Sequence, residues 1–221
     1  MRKINKKIEF KIAADGSSAS GKTTGCKLIA KKLNMKFLSS GKLYRYCALK
    51  IIKYNKSCNL KLINDIAKTI TLKKLDNKKL YDHDVTLLSS EIAKKSFVRK
   101  ALNKFQKKFI KNSSLVIVEG RDIGSKIMPN ADLKIFFTCS INKKARRRLK
   151  EFRILNKKVT LRQVEKALIQ RDNDDINRKI SPLIMPKNAV LVDTTKLSLK
   201  QMEAKLIYLV KTSIKKKYGN I

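Results

Sequence analysis

Gly16-Ser17-Ser18-Ala19-Ser20-Gly21-Lys22-Thr23 fits the pattern G-x-x-x-x-G-K-[ST] at every position. An apolar-leaning run over 8–15 predicts a strand before it, and apolar residues at helical spacing over 23–33 predict a helix after it. In that context the glycines allow a tight turn whose backbone N–H groups face a polyphosphate, and the helix N-terminus adds positive potential. Lys22 would neutralise the transferable phosphates, and the Thr23 hydroxyl would bind the accompanying magnesium ion. The stretch therefore predicts a nucleoside triphosphate site.

The composition bounds the class of protein. A chain of 221 residues with 43% hydrophobic content suits one α/β domain with inserted pieces. No apolar run is long enough to cross a bilayer, and the basic N-terminus lacks the apolar stretch of a secretory signal, so we predict a cytoplasmic protein without a membrane partner. The four cysteines form no C-x-x-C pair and have no zinc spacing around the single histidine, His83, which favours reduced packing thiols.

The formal net charge of +37 raises the question of nucleic-acid binding. The charge is mostly lysine and is spread along the whole chain, and no aromatic-rich strand accompanies it as a platform for stacking bases. We therefore expect weak, salt-sensitive contacts with polyanions and no specific nucleic-acid partner. A basic nucleic-acid-binding protein with a phosphate loop remains an alternative.

The order of predicted elements indicates the architecture. Strands alternate with helices, so we expect a parallel sheet with right-handed crossovers. The predicted strands cover 8–15, 36–39, 115–119, 133–138 and 189–193, with short candidates at 72–75 and 79–85. The predicted helices cover 23–33, 43–54, 60–70, 90–110 and 141–155, and the pairs Thr160-x-x-Gln163 and Ser198-x-x-Gln201 predict capping boxes that begin two more.

Four polar patches are candidates for the second substrate. They read SSGKLYR at 39–45, EGRDIG at 119–124, RRR at 146–148 and RDNDDINR at 171–178. Arginines bind phosphate through two N–H groups, and a carboxylate accepts a hydrogen bond from an amino group. The patch at 119–124 ends a core strand, where open α/β sheets bind ligands. Adjacent arginines point in different directions around a helix, so at most two of the three at 146–148 can face one site.

The motifs DGSSASGKTT, SSGKLYR, EGRDIG, RRRL, RDNDDINR and VDTTKLSLKQM follow one another in an order that resembles the bacterial cytidylate kinases, which belong to the nucleoside monophosphate (NMP) kinases. The resemblance covers most of the chain. It implies an α/β, three-layer P-loop NTPase fold with a parallel central sheet, an NMP-binding insertion and a short lid. It assigns 1–221 to a single domain, with the core at about 8–55 and 112–221, the insertion at about 56–111 and the lid at about 146–180.

The resemblance also implies an activity: transfer of the ATP γ-phosphate to CMP or dCMP with Mg²⁺, by a monomer. Lys22, Arg147 and Arg148 match the catalytic positions, and Thr23 matches the magnesium ligand. The positions that match ATP-binding residues are Gly16, Ser17, Ser18, Ala19, Ser20, Gly21, Lys22, Thr23 and Thr24. The positions that match CMP-binding residues are Ser40, Tyr44, Arg45 and Arg121 at the phosphate, Ser90, Arg99, Asp122 and Arg178 at cytosine, and Arg171 and Asp175 near the ribose.

The sequence departs from the family pattern at several points. Ser39 stands where the family usually has Asp, Glu119 where it often has Asp, and Thr23 where a glycine is common. The segment between Arg45 and Ser90 is shorter than usual. The shorter segment leaves open the fold of the insertion. A kinase of another nucleoside monophosphate or of a small metabolite is the alternative activity, and the EGRDIG and RDNDDINR patches argue against it.

Overall fold

The structure, a computed structural model, describes residues 8–154 and 158–219, which fall into two units. The first unit contains the described residues up to Phe37 and from Ser114 onward, and the second contains Leu38–Ser113. Within the described ranges, no helix is long and apolar enough to cross a membrane, and all four cysteines are free thiols.

A five-stranded sheet is the framework on which the phosphate loop is built. Its strands are β1 (Phe10–Gly16), β2 (Lys36–Ser39), β3 (Leu115–Glu119), β4 (Leu133–Thr138) and β5 (Val190–Asp193), in the order β2-β3-β1-β4-β5. Parallel pairing joins β1 to β3 and to β4, and β4 to β5. Ala14 lies opposite Glu119, and Gly16 lies opposite Phe137, so the carboxyl ends of three strands meet at one edge. The predicted α/β fold with a parallel central sheet is confirmed.

Helices cover the sheet and build the second unit. They are α1 (Lys22–Lys32), α2 (Ser40–Tyr54), α3 (Leu60–Lys68), α4 (His83–Ile92), α5 (Ser96–Lys111), α6 (Ile141–Ile154), α7 (Leu161–Asn177) and α8 (Leu199–Tyr218). Ile29 of α1 and Leu206 of α8 are fully buried in one core with Phe10, Ile12 and Phe137 of the strands. Parallel strands need such cover because both of their faces are apolar.

The two short strands predicted in the second unit are wrong. The structure has 3₁₀ helices at Lys73–Asp76 and Lys78–Tyr81, and α4 begins at His83. Each 3₁₀ helix buries a single residue, Leu75 or Leu80, so apolar and polar residues do not alternate as a half-buried strand requires. The Asn77 side chain accepts a hydrogen bond from the Lys79 N–H and so favours a helical turn over an extended chain.

The single helix predicted over 90–110 is also wrong, because α4 ends at Ile92 and α5 begins at Ser96. Lys95 between them is extended, with φ of −86° and ψ of 124°. The buried Arg99 guanidinium donates from Nε to the Ala93 carbonyl at 2.7 Å and so satisfies a carbonyl at the end of α4. Apolar residues recur at helical intervals across this break, so the sequence pattern did not reveal it.

The predictions of helix ends from local sequence agree better with the structure than the predictions for 72–110 do. Both predicted capping boxes are present, at Thr160 with Gln163 and at Ser198 with Gln201. Asn34, the first residue after the helix predicted over 23–33, adopts a left-handed conformation with φ of 49°. The helix predicted over 141–155 is observed as far as Ile154, and residue 155 lies outside the described residues.

Candidate active site

The phosphate loop connects β1 directly to α1, so strand, loop and helix follow one another as predicted. Gly16 has φ of 145°, and a Cβ there would lie 2.2 Å from the carbonyl oxygen of Phe137. Ala19 and Gly21 have positive φ as well, at 56° and 84°. In the described part of the chain no side chain caps the start of α1 at Lys22. N–H groups at such a helix start bind anions, phosphate above all.

Two side chains of the loop converge on one carboxylate. The Thr23 hydroxyl lies 2.8 Å from each carboxylate oxygen of Glu119, and Lys22 Nζ lies 3.7 Å from Glu119 Oε2. Burial lowers the pKa of Lys22, and Arg121 lowers it further, whereas the charge of Glu119 opposes both. Glu119 was not predicted as a site residue, although its place at the end of an apolar core strand was the available signal.

This cluster suits a hard divalent cation. The described residues contain no group of three or more His, Cys, Asp or Glu side chains that could hold a metal by themselves. Mg²⁺ is usually held by one or two carboxylates together with waters and substrate phosphates. The oxygens of Thr23 and Glu119 therefore fit a magnesium ion that arrives with a nucleotide.

Asp15, the last residue before Gly16, fixes the backbone of the neighbouring EGRDIG segment. Its two carboxylate oxygens accept hydrogen bonds from the N–H groups of Ile123 and Gly124, each at 2.7 Å. The carboxyl is 1% exposed, and burial raises its pKa to about 6 against the pull of those two bonds. Sequence reasoning placed Asp15 in a strand and missed this role, because its partners lie more than 100 residues away.

An ion-pair cluster joins the EGRDIG segment to α7. Arg121 Nε lies 2.7 Å from Asp175 Oδ2, and Arg178 Nη1 lies 3.1 Å from Asp175 Oδ1. Burial alone would raise the pKa of Asp175, but the Arg121 guanidinium holds it below its usual value. Asp122 is buried beside Arg121 in sequence, and Arg171 is half-buried on α7. The structure thus unites Arg121, Asp175 and Arg178, three of the predicted substrate residues.

The second unit has a buried arginine of its own. Arg45 on α2 is 9% exposed and donates from Nη1 to the Leu80 carbonyl at 2.8 Å and to the Thr86 hydroxyl at 2.6 Å. Its guanidinium also lies over the Tyr81 ring, 5.1 Å from the centroid. These contacts hold the predicted phosphate-binding arginine in one orientation within the unit.

The remaining predicted residues of the second unit differ in exposure. The Arg99 guanidinium lies over the Tyr44 ring at 5.6 Å, and both residues are buried. Ser40, the first residue of α2, is buried too. Ser90 is exposed on α4.

Comparison with known proteins decides the family. The family model for cytidylate kinase matches residues 12–212 of this chain. The chain belongs to the cytidylate kinase family. The cytidylate kinases of Fervidobacterium nodosum and Thermotoga neapolitana are each 35% identical to it, over 92% and 93% of this chain and 97% and 99% of theirs. A gluconokinase structure from Sinorhizobium meliloti shares the fold, with a TM-score of 0.52 at 12% identity over 96% of this chain and 98% of that one.

In this cytidylate kinase family member the two predicted catalytic arginines of α6 point in different directions. Arg147 donates to the Thr194 hydroxyl at 3.0 Å and to the Thr194 carbonyl at 2.9 Å. A Cβ on Gly21 would lie 3.3 Å from Arg147 Nη1, which places this guanidinium beside the loop. Arg148 instead pairs with Glu151 on the surface at 2.8 Å.

Two further side chains support the phosphate loop and were missed from the sequence. Asp172 accepts a hydrogen bond from the Ser18 N–H at 2.9 Å and also pairs with Lys144. Thr194 donates from its hydroxyl to the Ser20 carbonyl at 2.8 Å. Asp172 lies inside the RDNDDINR patch, and Thr194 follows β5, but no local pattern identified either as a partner of the loop.

Proposed function

We propose that this protein transfers the γ-phosphoryl group of ATP to CMP and dCMP, forming CDP and dCDP, with Mg²⁺ as the accompanying ion. The observation that carries the proposal is the placement of two cations at the end of β3: Lys22 pairs with Glu119 at 3.7 Å, and Arg121, two residues after Glu119, is one of the charges that lower the pKa of Lys22. A lysine for the donor phosphates beside an arginine for an acceptor phosphate is the charge arrangement that transfer between two phosphates requires. Membership of the cytidylate kinase family supports cytidine nucleotides as acceptors.

The donor end is the phosphate loop. Residues 16–24 would surround the ATP phosphates, because their backbone N–H groups lie before and within the first turn of a helix that has no side-chain cap. Thr23 and Glu119 would hold the magnesium ion, which when bound neutralises charge on the phosphoryl group. Lys22 adds a positive charge that is buried and therefore poorly hydrated before the nucleotide binds.

The acceptor residues are proposed for each unit separately. In the first unit Arg121 would bind the CMP phosphate, Asp122 and Arg178 would select cytosine, and Arg171 and Asp175 would contact the ribose. In the second unit the proposed contacts are Ser40, Tyr44 and Arg45 for the phosphate and Ser90 and Arg99 for the base. Polar groups that match the amino and carbonyl edge of cytosine penalise other bases, because a mismatch leaves them unpaired.

The chemistry needs little from the protein besides placement and charge. The attacking group is an oxygen of the acceptor phosphate, which is already an anion, so no general base is required. Lys22, Arg147 and Arg148 would stabilise charge on the moving phosphoryl group, and Arg121 would hold the acceptor in line. Both arginines lie in the proposed lid at about 146–180, and Arg147 lies beside the phosphate loop.

The acceptor panel is the first test. Phosphoryl transfer from ATP with Mg²⁺ is measured in parallel with CMP, dCMP, UMP, AMP and GMP. We expect fast turnover of CMP and dCMP, with AMP and GMP inert. A preference for a purine nucleotide or a non-nucleotide acceptor would contradict the proposal.

Lys22→Met tests the donor end. The loss of this buried charge should lower kcat by a factor on the order of 10²–10³ with little change in the KM for CMP, because Lys22 acts on the transferring phosphates. Lys27→Met is the matched control, since Lys27 lies on the same helix and is exposed. Near-normal turnover of Lys22→Met would contradict the assignment.

The cellular location, the oligomeric state and the role of the insertion are also proposals. We infer from the family that the protein acts in the cytoplasm as a monomer and that the insertion at about 56–111 contributes to acceptor binding. Light scattering coupled to size-exclusion chromatography tests the monomer, with a mass near 25.3 kDa expected.

A further inference from the structure

A buried ion pair in the first unit is bound to the backbone of the phosphate loop. Asp172 on α7 is 8% exposed, and its Oδ1 accepts the Ser18 N–H at 2.9 Å across 154 residues of sequence. Its Oδ2 accepts a hydrogen bond from the ammonium group of Lys144 on α6, which is 7% exposed. One carboxylate therefore joins the loop, α6 and α7.

Burial of this ion pair costs free energy, and its hydrogen bond to the loop indicates what the pair contributes. A buried ion pair gains little over well-packed apolar residues of similar volume, because both charges lose their hydration. The Ser18 N–H, however, is a buried backbone donor that needs an acceptor, and Asp172 supplies one. Lys144 in turn compensates the charge of that acceptor.

The next loop residue is held by the same two helices. Ala19 packs against the cluster of Ala145, Val164 and Leu168, which come from α6 and α7. Its φ of 56° is uncommon for a residue with a Cβ and persists only where the surroundings impose it. Contacts with α6 and α7 thus support the conformation of Ser18 and Ala19.

We propose that Asp172, held by Lys144, is a positioning residue that keeps the phosphate loop in the shape that binds the donor triphosphate. Arg147 and Arg148 lie on α6 within four residues of Lys144, so the same pair links the shape of the loop to the helix that carries the proposed lid arginines. This inference rests on the proposed function of the loop as the ATP site.

Two double variants separate positioning from simple stabilisation. Asp172→Asn with Lys144→Met removes both charges but keeps a side-chain oxygen that can accept the Ser18 N–H. Asp172→Leu with Lys144→Met removes the charges and the acceptor. Glu9→Gln is the control, because it removes an exposed ion pair with Lys11 in the same unit. Should the leucine variant fail to fold, Asp172→Ala with Lys144→Met replaces it.

The readouts are the Kd for ATP with Mg²⁺ by calorimetry, the KM for ATP and for CMP, and Tm. We expect the leucine variant to bind ATP at least tenfold more weakly with an unchanged KM for CMP, and the asparagine variant to bind within about threefold of the wild type, which is less than 1 kcal/mol. Equal ATP affinity of all folded variants overturns the proposal, even if Tm falls.

Wild-type protein that binds ATP but phosphorylates no cytidine nucleotide contradicts the proposed acceptor alone, and wild-type protein that binds no ATP overturns both.

Discussion

Asp15 and Glu119 are carboxylates at the ends of paired strands, but they have different surroundings. Glu119 faces the Thr23 hydroxyl and the Lys22 ammonium group, so its charge is compensated by groups that also suit a nucleotide and its metal. Asp15 is bonded to two backbone N–H groups and is almost fully desolvated. The first arrangement favours chemistry, and the second favours a rigid backbone directly after Arg121 and Asp122.

The raised pKa of Asp15 predicts a pH-dependent stability. An unfolded Asp ionises near 3.8 and the buried one near 6, so between these values the native state holds the proton more tightly. Stability from this group is therefore present below pH 3.8 and is lost as pH rises through 6, by about 3 kcal/mol in total.

Urea unfolding of the ligand-free protein at pH 4, 5, 6 and 7 measures this effect when the wild type is compared with Asp15→Asn, which has no titrating group at that position. The free energy of unfolding of the wild type should fall relative to the variant across this range. Parallel pH profiles of the two proteins would show that Asp15 does not titrate as its burial implies.

Helix α7 combines a local start signal with long-range contacts. The capping box at Thr160 begins the helix, and Asp172 and Asp175 near its other end contact the loop and Arg121. Four adjacent residues determine where the helix begins. The contacts near its C-terminal end instead depend on the phosphate loop and on Arg121, which are distant in sequence. The two ends should therefore respond differently to substitution.

Thr160→Ala is expected to lower the free energy of unfolding by about 1 kcal/mol through loss of the cap, without changing the KM for ATP. Ser198→Ala at the matching box of α8 is the control and should cost a similar amount. Chemical denaturation and steady-state kinetics measure both quantities. A weaker affinity for ATP in Thr160→Ala would show that the cap and the loop are coupled.

At the scale of the whole molecule, the net charge of +37 is the dominant physical property. We predict that the protein binds RNA and DNA of equal length without sequence preference at 50 mM salt. Because such binding releases counterions, the affinity should fall by about 10³ or more between 50 and 200 mM salt. Fluorescence anisotropy with two unrelated RNA sequences and one DNA duplex measures this dependence. Sequence-selective binding that survives 200 mM salt would contradict it.

Much of the fold and part of the site could be predicted from local patterns. The phosphate loop, the five strands of the sheet and the two capping boxes depend on residues close together in sequence, so the pattern alone indicated them. The break between α4 and α5 was not predicted, because the hydrogen bond from the Arg99 guanidinium to the Ala93 carbonyl does not alter the spacing of apolar residues.

By itself, the sequence determined that a phosphate loop follows the first strand of a parallel sheet and that arginine-rich patches accompany it, because backbone periodicity and loop chemistry are local. Only the tertiary structure decided that Glu119 faces Thr23, that Asp15 fixes Ile123 and that Asp172 supports Ser18. The physical reason is that buried carboxylates need compensating donors or cations. Those partners lie 96 to 154 residues away, and packing of the sheet and helices brings them together.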